Sequence, residues 1–249
     1  MAENKAPKQI SGGGSKSRRT GRICENMTYS GREAFKRLRT NVQIALGDSD
    51  NKCRIIGITS AQPSEGKSTV SVNLAYSLAE LGKNVLIIDG DMRRPAIHDI
   101  VGASLAPGIS DVLNGKASLN ESIIRYKSTA NSTVFDLIPG GEIPDNPAEM
   151  LNSGRFKKLL EVVSGVFDYV IVDLPPVNAV VDAVNVSQYV DGLVVVVREN
   201  HCPRYVLDEC VGQLRYAKAN ILGFVMNGCV EGAGKHYQYK NRYYYKYGN

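Results

Sequence analysis

The sequence predicts an α/β fold built on a mostly parallel, doubly wound β-sheet with helices on both faces. Short aliphatic runs, apolar on both strand faces, recur along the chain and alternate with segments of helical periodicity. A glycine-containing turn joins the first of these runs to a helical segment, and acidic residues end two later runs. Buried parallel strands joined by crossover helices produce this pattern.

The predicted elements follow one another in the order that such a sheet needs. Residues Glu33–Leu46 form an amphipathic helix, because apolar residues recur at helical spacing between basic ones. A helix over Ser68–Leu81 ends at Gly82, a residue suited to a helix C-terminus. Further helices are predicted over Ser153–Val163 and Tyr205–Ala217. The predicted strands are Arg54–Ser60, Val85–Asp89, Val134–Ile138, Tyr169–Asp173, Leu193–Val197 and Ile221–Met226.

Length and composition indicate a folded globular protein. The chain has 249 residues, of which 43% are apolar and 22% are charged, close to average globular usage. No apolar run approaches the roughly 20 residues of a membrane-spanning helix, and the first residues lack the apolar stretch of a signal peptide. Five scattered cysteines without CxxC spacing argue against a disulfide framework or a zinc site. We expect free thiols in a reducing cytoplasm.

Positive charge is concentrated at both ends of the chain. Residues 1–22 carry a formal charge of +5 and residues 235–249 carry +4, whereas the residues between them carry −4. The sequence predicts a disordered basic segment over 1–28, a folded domain over 29–234 and a flexible tyrosine-rich tail over 235–249. Because the first segment lacks interleaved aromatic residues, solvation or weak attraction to an anionic membrane surface is favoured over nucleic-acid binding.

The turn Ala61–Thr69 has the pattern of a phosphate-binding loop. Its one departure is that Ala61 stands where G-x-x-x-x-G-K-[ST] begins with glycine. Backbone amides at a helix start hold phosphate oxygens, Lys67 can neutralise the outer phosphates, and the Ser68 hydroxyl can bind Mg²⁺. A Gly-Lys-Ser turn is often only a helix start, but the flanking strand and helix favour the phosphate site. The predicted nucleotide-binding residues of this turn are Ser64, Glu65, Gly66, Lys67, Ser68 and Thr69.

Three aspartates lie at or just after strand ends. Asp89 and Asp91 close one predicted strand, and Asp173 closes another. Open parallel sheets bind ligands at the carboxyl ends of their strands, so we expect these side chains to face the same crevice as Lys67. Ser68, Asp91 and Asp173 form the predicted metal site, because hydroxyl and carboxylate oxygens suit Mg²⁺. Each of these aspartates, taken alone, could equally be a cap at the end of a strand or a surface carboxylate without a role in the site.

Six of the 13 tyrosines lie in the last 13 residues, a density that a packed core does not explain. They are Tyr237, Tyr239, Tyr243, Tyr244, Tyr245 and Tyr247. Alternating aromatic and basic residues also suit a nucleic-acid or membrane-interface segment. Beside a phosphoryl-transfer site, we interpret the tail as an autophosphorylation substrate that is delivered in trans to a neighbouring copy.

With these motifs, the chain resembles the bacterial tyrosine kinases, or BY-kinases, of capsule and exopolysaccharide gene clusters. The resemblance covers about residues 29–249. It rests on the loop at 61–69, Asp89-x-Asp91-x-Arg93, the Asp173 strand, Asn146-Pro147-x-Glu149-Met150-Leu151 and the tyrosine cluster. The resemblance implies a P-loop fold of the deviant-Walker type. It also implies an ATP- and Mg²⁺-dependent protein-tyrosine kinase that regulates polysaccharide polymerisation and export.

The resemblance assigns roles to individual residues. Lys67, Asp89, Asp91 and Arg93 are the implied catalytic residues. Asp89 is our choice for the base that accepts the tyrosine proton, although nothing in the sequence ranks it above Asp91. Asn227 resembles the adenine-reading asparagine of the deviant-Walker group.

Assembly is also implied by the resemblance. The family oligomerises through a Glu-x-x-Arg-x-x-Arg helix, which Glu33, Lys36 and Arg39 match except that lysine lacks the bidentate fork of arginine. The resemblance implies a homo-oligomer, expected to be a ring, whereas the helix taken alone is more simply interpreted as a solvated face. Implied partners are a membrane-embedded activator or polysaccharide co-polymerase acting through its cytoplasmic tail, a phosphotyrosine phosphatase and other protein substrates, but not nucleic acid. We expect a cytoplasmic protein held at the inner membrane face by that activator.

Two other functions fit parts of the pattern. A nucleotide-driven positioning ATPase with a membrane- or nucleic-acid-binding tail would share the fold, but such ATPases carry a signature lysine where this chain has Gln62. A non-catalytic switch that gates polysaccharide assembly would not need the complete set of Asp89, Asp91 and Asp173.

Overall fold

The computed structural model describes residues 7–11, 23–47 and 52–229. Its strands are β1 Lys8–Ser11, β2 Arg54–Ser60, β3 Val85–Asp89, β4 Ile124–Lys127, β5 Val134–Ile138, β6 Tyr169–Asp173, β7 Gly192–Arg198 and β8 Ile221–Asn227. Its helices are α1 Tyr29–Leu46, α2 Lys67–Ala79, α3 Ile97–Val101, α4 Ile109–Leu113, α5 Leu119–Ser122, α6 Pro147–Leu151, α7 Gly154–Ser164, α8 Asp182–Val186 and α9 Arg204–Tyr216. A single 3₁₀ turn at Cys24–Asn26 precedes α1.

The eight strands form one sheet in the order β1-β4-β5-β3-β6-β2-β7-β8. Six strands from β5 to β8 run parallel, whereas β4 is antiparallel to β5 and β1 is parallel to β4. β3, β6 and β2 are therefore neighbours, and their carboxyl ends lie at one edge of the sheet. In the register of β3 and β6, Asp89 is directly opposite Asp173.

Both faces of the sheet are covered. On one face, Ile87 and Ile171 pack with Leu74 and Tyr76 of α2. On the other face, Leu86 and its neighbours pack with residues of α7, α8 and α9. Successive strand residues thus enter opposite cores, as expected for strands that are apolar on both sides. The predicted fold class is confirmed.

The long predicted elements agree with the structure to within a few residues. α1 begins earlier than predicted, because the Thr28 side chain caps it by accepting a hydrogen bond from the Gly31 amide. α2 ends at Ala79, short of the predicted Leu81, and is followed by turns up to Gly82. β4 and the helices of four or five residues were not predicted, since such short segments carry too little periodicity.

The prediction of disorder over residues 1–28 is wrong for the residues in that segment that the structure describes. Residues 8–11 form β1, in which Ile10 packs against the core beneath α2, and Ile23 and Cys24 are buried. The prediction rested on the polar composition of the whole 28-residue segment, which does not reveal that two short stretches within it contact the folded domain. The tyrosine tail at 235–249 lies outside the described residues, and the division into three segments stays a prediction. Within residues 7–11, 23–47 and 52–229, no helix is both long and apolar enough to cross a bilayer.

Glu25 ties the turn before α1 to the sheet. Its carboxylate accepts hydrogen bonds from the Tyr126 hydroxyl, at 2.8 Å, and from the Ser128 hydroxyl. Ser128 Oγ also lies 3.3 Å from the hydroxyl of Tyr76 in α2. Tyr126 is fully buried and stacks on Phe135 of the next strand. One carboxylate thereby links the start of the folded chain to both β4 and α2.

Glu25→Ala is expected to lower the free energy of unfolding by about 2–3 kcal/mol, because a hydrogen bond to a charged group contributes about 1.5–3 kcal/mol and two hydroxyls lose their acceptor. Urea unfolding followed by circular dichroism measures the change. Glu33→Ala is the control, since Glu33 makes only an exposed pair with Lys36. Equal stability of the two variants would mean that Glu25 does not anchor the turn.

Candidate functional site

The phosphate-binding turn lies between β2 and α2. Gly66 ends it with φ +94°, a conformation that favours glycine, and a Cβ there would collide with the Asn227 side chain. Ser64 also adopts a positive φ, +66°. Lys67 and Ser68 follow at once in the first turn of α2, so the helix N-terminus points its amides towards the loop.

Lys67 is 7% exposed, and its Nζ lies 3.7 Å from Oδ2 of Asp91. The other oxygen of Asp91 accepts the Arg94 amide at 3.2 Å. Burial raises the pKa of Asp91, and the Lys67 ammonium opposes that rise. The two side chains therefore form a largely buried ion pair beside the phosphate-binding turn.

Asp89 is fully buried, and its Oδ2 accepts the amides of Ala96 and Ile97 at 3.0 and 3.1 Å. One oxygen therefore caps the start of α3. A capping role of this kind is the alternative interpretation that the sequence analysis gave for each aspartate. The other oxygen, Oδ1, has no hydrogen-bond partner in the described part of the chain. Burial, and then the nearby Asp173 carboxylate, raise the pKa of Asp89 well above its usual range.

Asp173 ends β6 and is also fully buried. Its Oδ1 accepts the Ser71 hydroxyl at 2.9 Å, whereas Oδ2 has no hydrogen-bond partner among the described residues. Burial raises the pKa of Asp173 to about 6, although the nearby Lys67 ammonium opposes the shift. Asp89 and Asp173 thus lie side by side at the ends of β3 and β6, and Lys67 lies beside Asp91 and near Asp173.

Arg93 pairs with a carboxylate that sequence reasoning missed. Its Nε and Nη2 donate to the two oxygens of Asp182, at 3.0 and 3.3 Å, and Asp182 is fully buried at the start of α8. The hydrogen bond to Asp182 raises the pKa of Arg93 further. Asp182 belongs to no motif. Nothing in the sequence around this isolated acid, which follows the Asp173 strand, indicates that it pairs with Arg93.

Two other predicted nucleotide-binding side chains are engaged within the protein. Glu65 is fully buried, and its carboxylate accepts the amides of Gln62 and Arg198 at 3.0 and 3.3 Å. Asn227, at the end of β8, donates from Nδ2 to the Glu65 carbonyl at 2.8 Å. Any nucleotide contact of Glu65 is therefore through its backbone, and adenine reading by Asn227 stays a prediction. Thr69 lies in the first turn of α2, two residues after Lys67.

The site's chemistry suits a hydrated divalent cation. Two buried carboxylate oxygens, one on Asp89 and one on Asp173, lack partners in the described residues, and such groups are costly unless a ligand satisfies them. Among the residues that the structure describes, no three His, Cys, Asp or Glu side chains form a direct metal-binding cluster. A Mg²⁺ ion there would draw most of its ligands from phosphate and water, which is its usual preference.

The three residues predicted to mediate oligomerisation differ in their surroundings. Lys36 donates to Glu33 at 2.8 Å on the exposed face of α1. Arg39 instead turns towards α2, where its Nη1 donates to the Ser77 carbonyl at 2.6 Å. Charge reversal at Arg39 would disturb this internal contact, so only Glu33 and Lys36 are free to test the predicted interface.

The parallel sheet, the turn between β2 and α2 and the aspartates at strand ends define a P-loop protein of the deviant-Walker type. Residues 53–213 match the model of the AAA domain family. The septum site-determining protein MinD of Pyrococcus horikoshii, solved with Mg-ADP, shares the fold with a TM-score of 0.58, 24% identity and coverage of 72% of each chain.

More similar proteins define the family. Tyrosine-protein kinase YwqD of Bacillus subtilis is 35% identical over 83% of this chain and 84% of its own length. Tyrosine-protein kinase ptk of Acinetobacter johnsonii is 38% identical over 78% of this chain, which spans 26% of that longer protein. The kinase domain of Escherichia coli tyrosine kinase ETK has a TM-score of 0.75 and 35% identity, with coverage of 83% of this chain and 78% of that domain. The chain belongs to the bacterial tyrosine-protein kinase family, which confirms the predicted resemblance and enzyme class.

Asp182→Ala is expected to lower tyrosine phosphorylation about tenfold or more, because Arg93 loses the partner that orients it and small displacements at a reacting site are costly. Phosphate incorporation from labelled ATP measures the effect. Asp208→Ala is the control, since it breaks an exposed arginine–aspartate pair with Arg204. If the two variants label equally, the Arg93–Asp182 pair does not contribute to the reaction.

Proposed function

We propose that this protein is an ATP- and Mg²⁺-dependent tyrosine autokinase that phosphorylates its tail tyrosines in trans and thereby regulates capsular or exopolysaccharide polymerisation and export. The observation that carries the proposal is the grouping of the buried Asp89, Asp91 and Asp173 at the ends of β3 and β6, with the buried Lys67 paired to Asp91 beside the phosphate-binding turn. Phosphoryl transfer depends mainly on positioning and charge neutralisation, so this small set of groups suffices.

Lys67 and the loop amides bind the β- and γ-phosphates. Ser68 would bind Mg²⁺ directly, and Asp91 and Asp173 would hold water molecules around it. When bound, Mg²⁺ neutralises charge on the phosphate oxygens. The 3.7 Å contact between Lys67 and Asp91 supports this arrangement, because it places the phosphate-binding lysine beside a carboxylate of the proposed metal site.

Asp89 is the proposed base. Its free Oδ1 has acceptor capacity, whereas Asp91 is engaged by Lys67 and by the Arg94 amide. Asp89 accepts the tyrosine proton as the tyrosine oxygen bonds to the γ-phosphorus. The bond from that phosphorus to the bridging oxygen breaks at the same time, and ADP leaves with the electron pair.

The competing function as a positioning ATPase is disfavoured by Gln62. Its Nε2 donates to the His201 carbonyl of the same chain at 2.8 Å, where a trans-acting lysine would have to reach a partner. The non-catalytic switch is disfavoured because all three carboxylates face the crevice.

The proposed setting follows from the family. A membrane-embedded activator would hold the kinase at the inner face of the cell membrane through its cytoplasmic tail, and a phosphotyrosine phosphatase would reset it. Other protein substrates belong to the same proposal. The exposed pair of Glu33 and Lys36 on α1 is the surface offered for assembly into a ring.

Lys67→Met is expected to reduce phosphotyrosine by about 10²–10³-fold or more, because a preorganised charge at the transferred group is lost. Lys83→Met, which removes an exposed lysine, is the control.

The Lys67→Met variant also tests whether the phosphate is transferred in trans. Full-length Lys67→Met is mixed with a catalytically intact chain that ends at residue 234, and anti-phosphotyrosine detection after adding Mg-ATP should show label on the Lys67→Met chain. Label on neither chain would contradict trans phosphorylation of the tail.

Phosphorylation of the tail is expected to dissociate the oligomer. Each phosphate adds about −1.5 to −2 charges, so six modified tyrosines contribute about −9 to −12, which reverses the sign of the tail. The unmodified tail carries +4 and is attracted to an acidic neighbouring crevice. Sedimentation before and after Mg-ATP treatment should show smaller species for the wild type, but not when all six tyrosines are replaced by Phe. A phosphorylated wild type as large as the six-Phe variant would exclude control by tail charge.

A further inference from the structure

Four consecutive carbonyl groups of the phosphate-binding turn accept hydrogen bonds from side chains outside residues 62–65. The Gln62 carbonyl accepts from Ser60 Oγ at 2.8 Å, that of Pro63 from His201 Nε2 at 3.2 Å, that of Ser64 from Arg198 Nη1 at 3.2 Å and that of Glu65 from Asn227 Nδ2 at 2.8 Å. Because a carbonyl oxygen only accepts, the contact with Pro63 requires a proton on His201 Nε2. We call these four donors the outer brace.

The outer brace determines where the loop amides point. A trans peptide is planar, so each N–H points away from the C=O of the same peptide unit. With their preceding carbonyls held outwards, the amides of Ser64, Glu65 and Gly66 point to the opposite side of the loop. None of these three amides has an acceptor among the described residues. Successive free amides of this kind form an anion-binding nest.

The Glu65 carboxylate strengthens the same arrangement. It is fully buried and accepts one amide from Gln62 within the loop and one from Arg198 at the end of β7. Ser64, whose φ of +66° is unfavourable for a residue with a Cβ, has its carbonyl held by the Arg198 side chain. The end of β7 thus holds the turn at two successive residues, Ser64 and Glu65.

We propose that Arg198 and His201 are positioning residues that preset the loop amides for the β- and γ-phosphates of ATP. Neither residue belongs to the loop motif, and neither needs to contact the nucleotide. The inference rests on the proposed nucleotide site and deepens it, because a loop that is already ordered loses less entropy when the phosphates bind. Both side chains are exposed, so replacing them leaves the core intact.

The test measures Mg-ADP affinity by calorimetry for the full-length variants Arg198→Met, which has no N–H donor in its side chain, His201→Ala and their combination. Each single variant is expected to bind Mg-ADP about fivefold more weakly, the typical effect of one hydrogen bond, and the double variant about 25-fold more weakly. His201→Gln retains an N–H donor and should bind within about twofold of the wild type. Arg204→Met is the matched control, because Arg204 is an exposed arginine that pairs only with Asp208 in the described residues.

Two further measurements separate positioning from a merely structural role. Adenosine, followed by NMR titration, lacks phosphates and should bind the variants and the wild type equally. The melting temperature without nucleotide should be unchanged. Unaltered Mg-ADP affinity in the double variant would overturn the inference, as would equal losses for adenosine and Mg-ADP. A wild type that binds Mg-ADP but makes no phosphotyrosine would instead contradict the proposed kinase reaction and leave the brace supported by the binding data.

Discussion

The site depends on the confinement of three carboxylates to the buried ends of two adjacent strands. Parallel pairing of β3 with β6 places Asp89 directly opposite Asp173, and Asp91 follows within the same crevice. Burial is the main cause of the raised pKa values of all three, and nearby carboxylates add to it, namely Asp173 for Asp89, Asp182 for Asp91 and Asp91 for Asp173. Lys67 relieves only part of this repulsion. A phosphate group accompanied by a divalent cation would satisfy both signs of charge, so the sheet order alone creates a strong preference for such a ligand.

The sequence predicted the features that depend on residues close together in the chain. The strands from Arg54–Ser60 to Ile221–Met226, the turn at 61–69 and the aspartates at strand ends each carry a local pattern. It did not predict β1 or β4, because strands of four residues are too short to show a period, and the partner of β1 is far away in the sequence. The Arg93–Asp182 pair and the outer brace were missed for the same physical reason, since each joins segments that only the folded sheet brings together.

A sequence motif shows which residue type stands at a position, but it does not show which group that residue contacts in the folded protein. Arg39 occupies a position expected at a subunit interface, yet its guanidinium binds Ser77 of the same chain. Gln62 replaces the lysine that would act on a neighbour in positioning ATPases, and it too makes an internal contact, with His201. Two groups that resemblance connects with other subunits therefore stabilise the single chain. What remains for assembly on α1 is a short exposed pair, Glu33 and Lys36, whose contribution in water is small unless a partner desolvates it.

The two sides of the crevice are held in different ways, and this difference suits phosphoryl transfer. The loop side is fixed by neutral and cationic donors from the ends of β2, β7 and β8, which direct amides inwards without placing a charge there. The acidic side is fixed by backbone amides of α3 and by Ser71, which leave one oxygen of Asp89 and one of Asp173 without a partner in the described chain. In the proposed reaction, phosphate oxygens would meet donors on one side, and a cation and the tyrosine proton would meet acceptors on the other. Because one sheet carries both sets of groups, ATP and the tyrosine tail of a neighbouring copy are what would have to move into place.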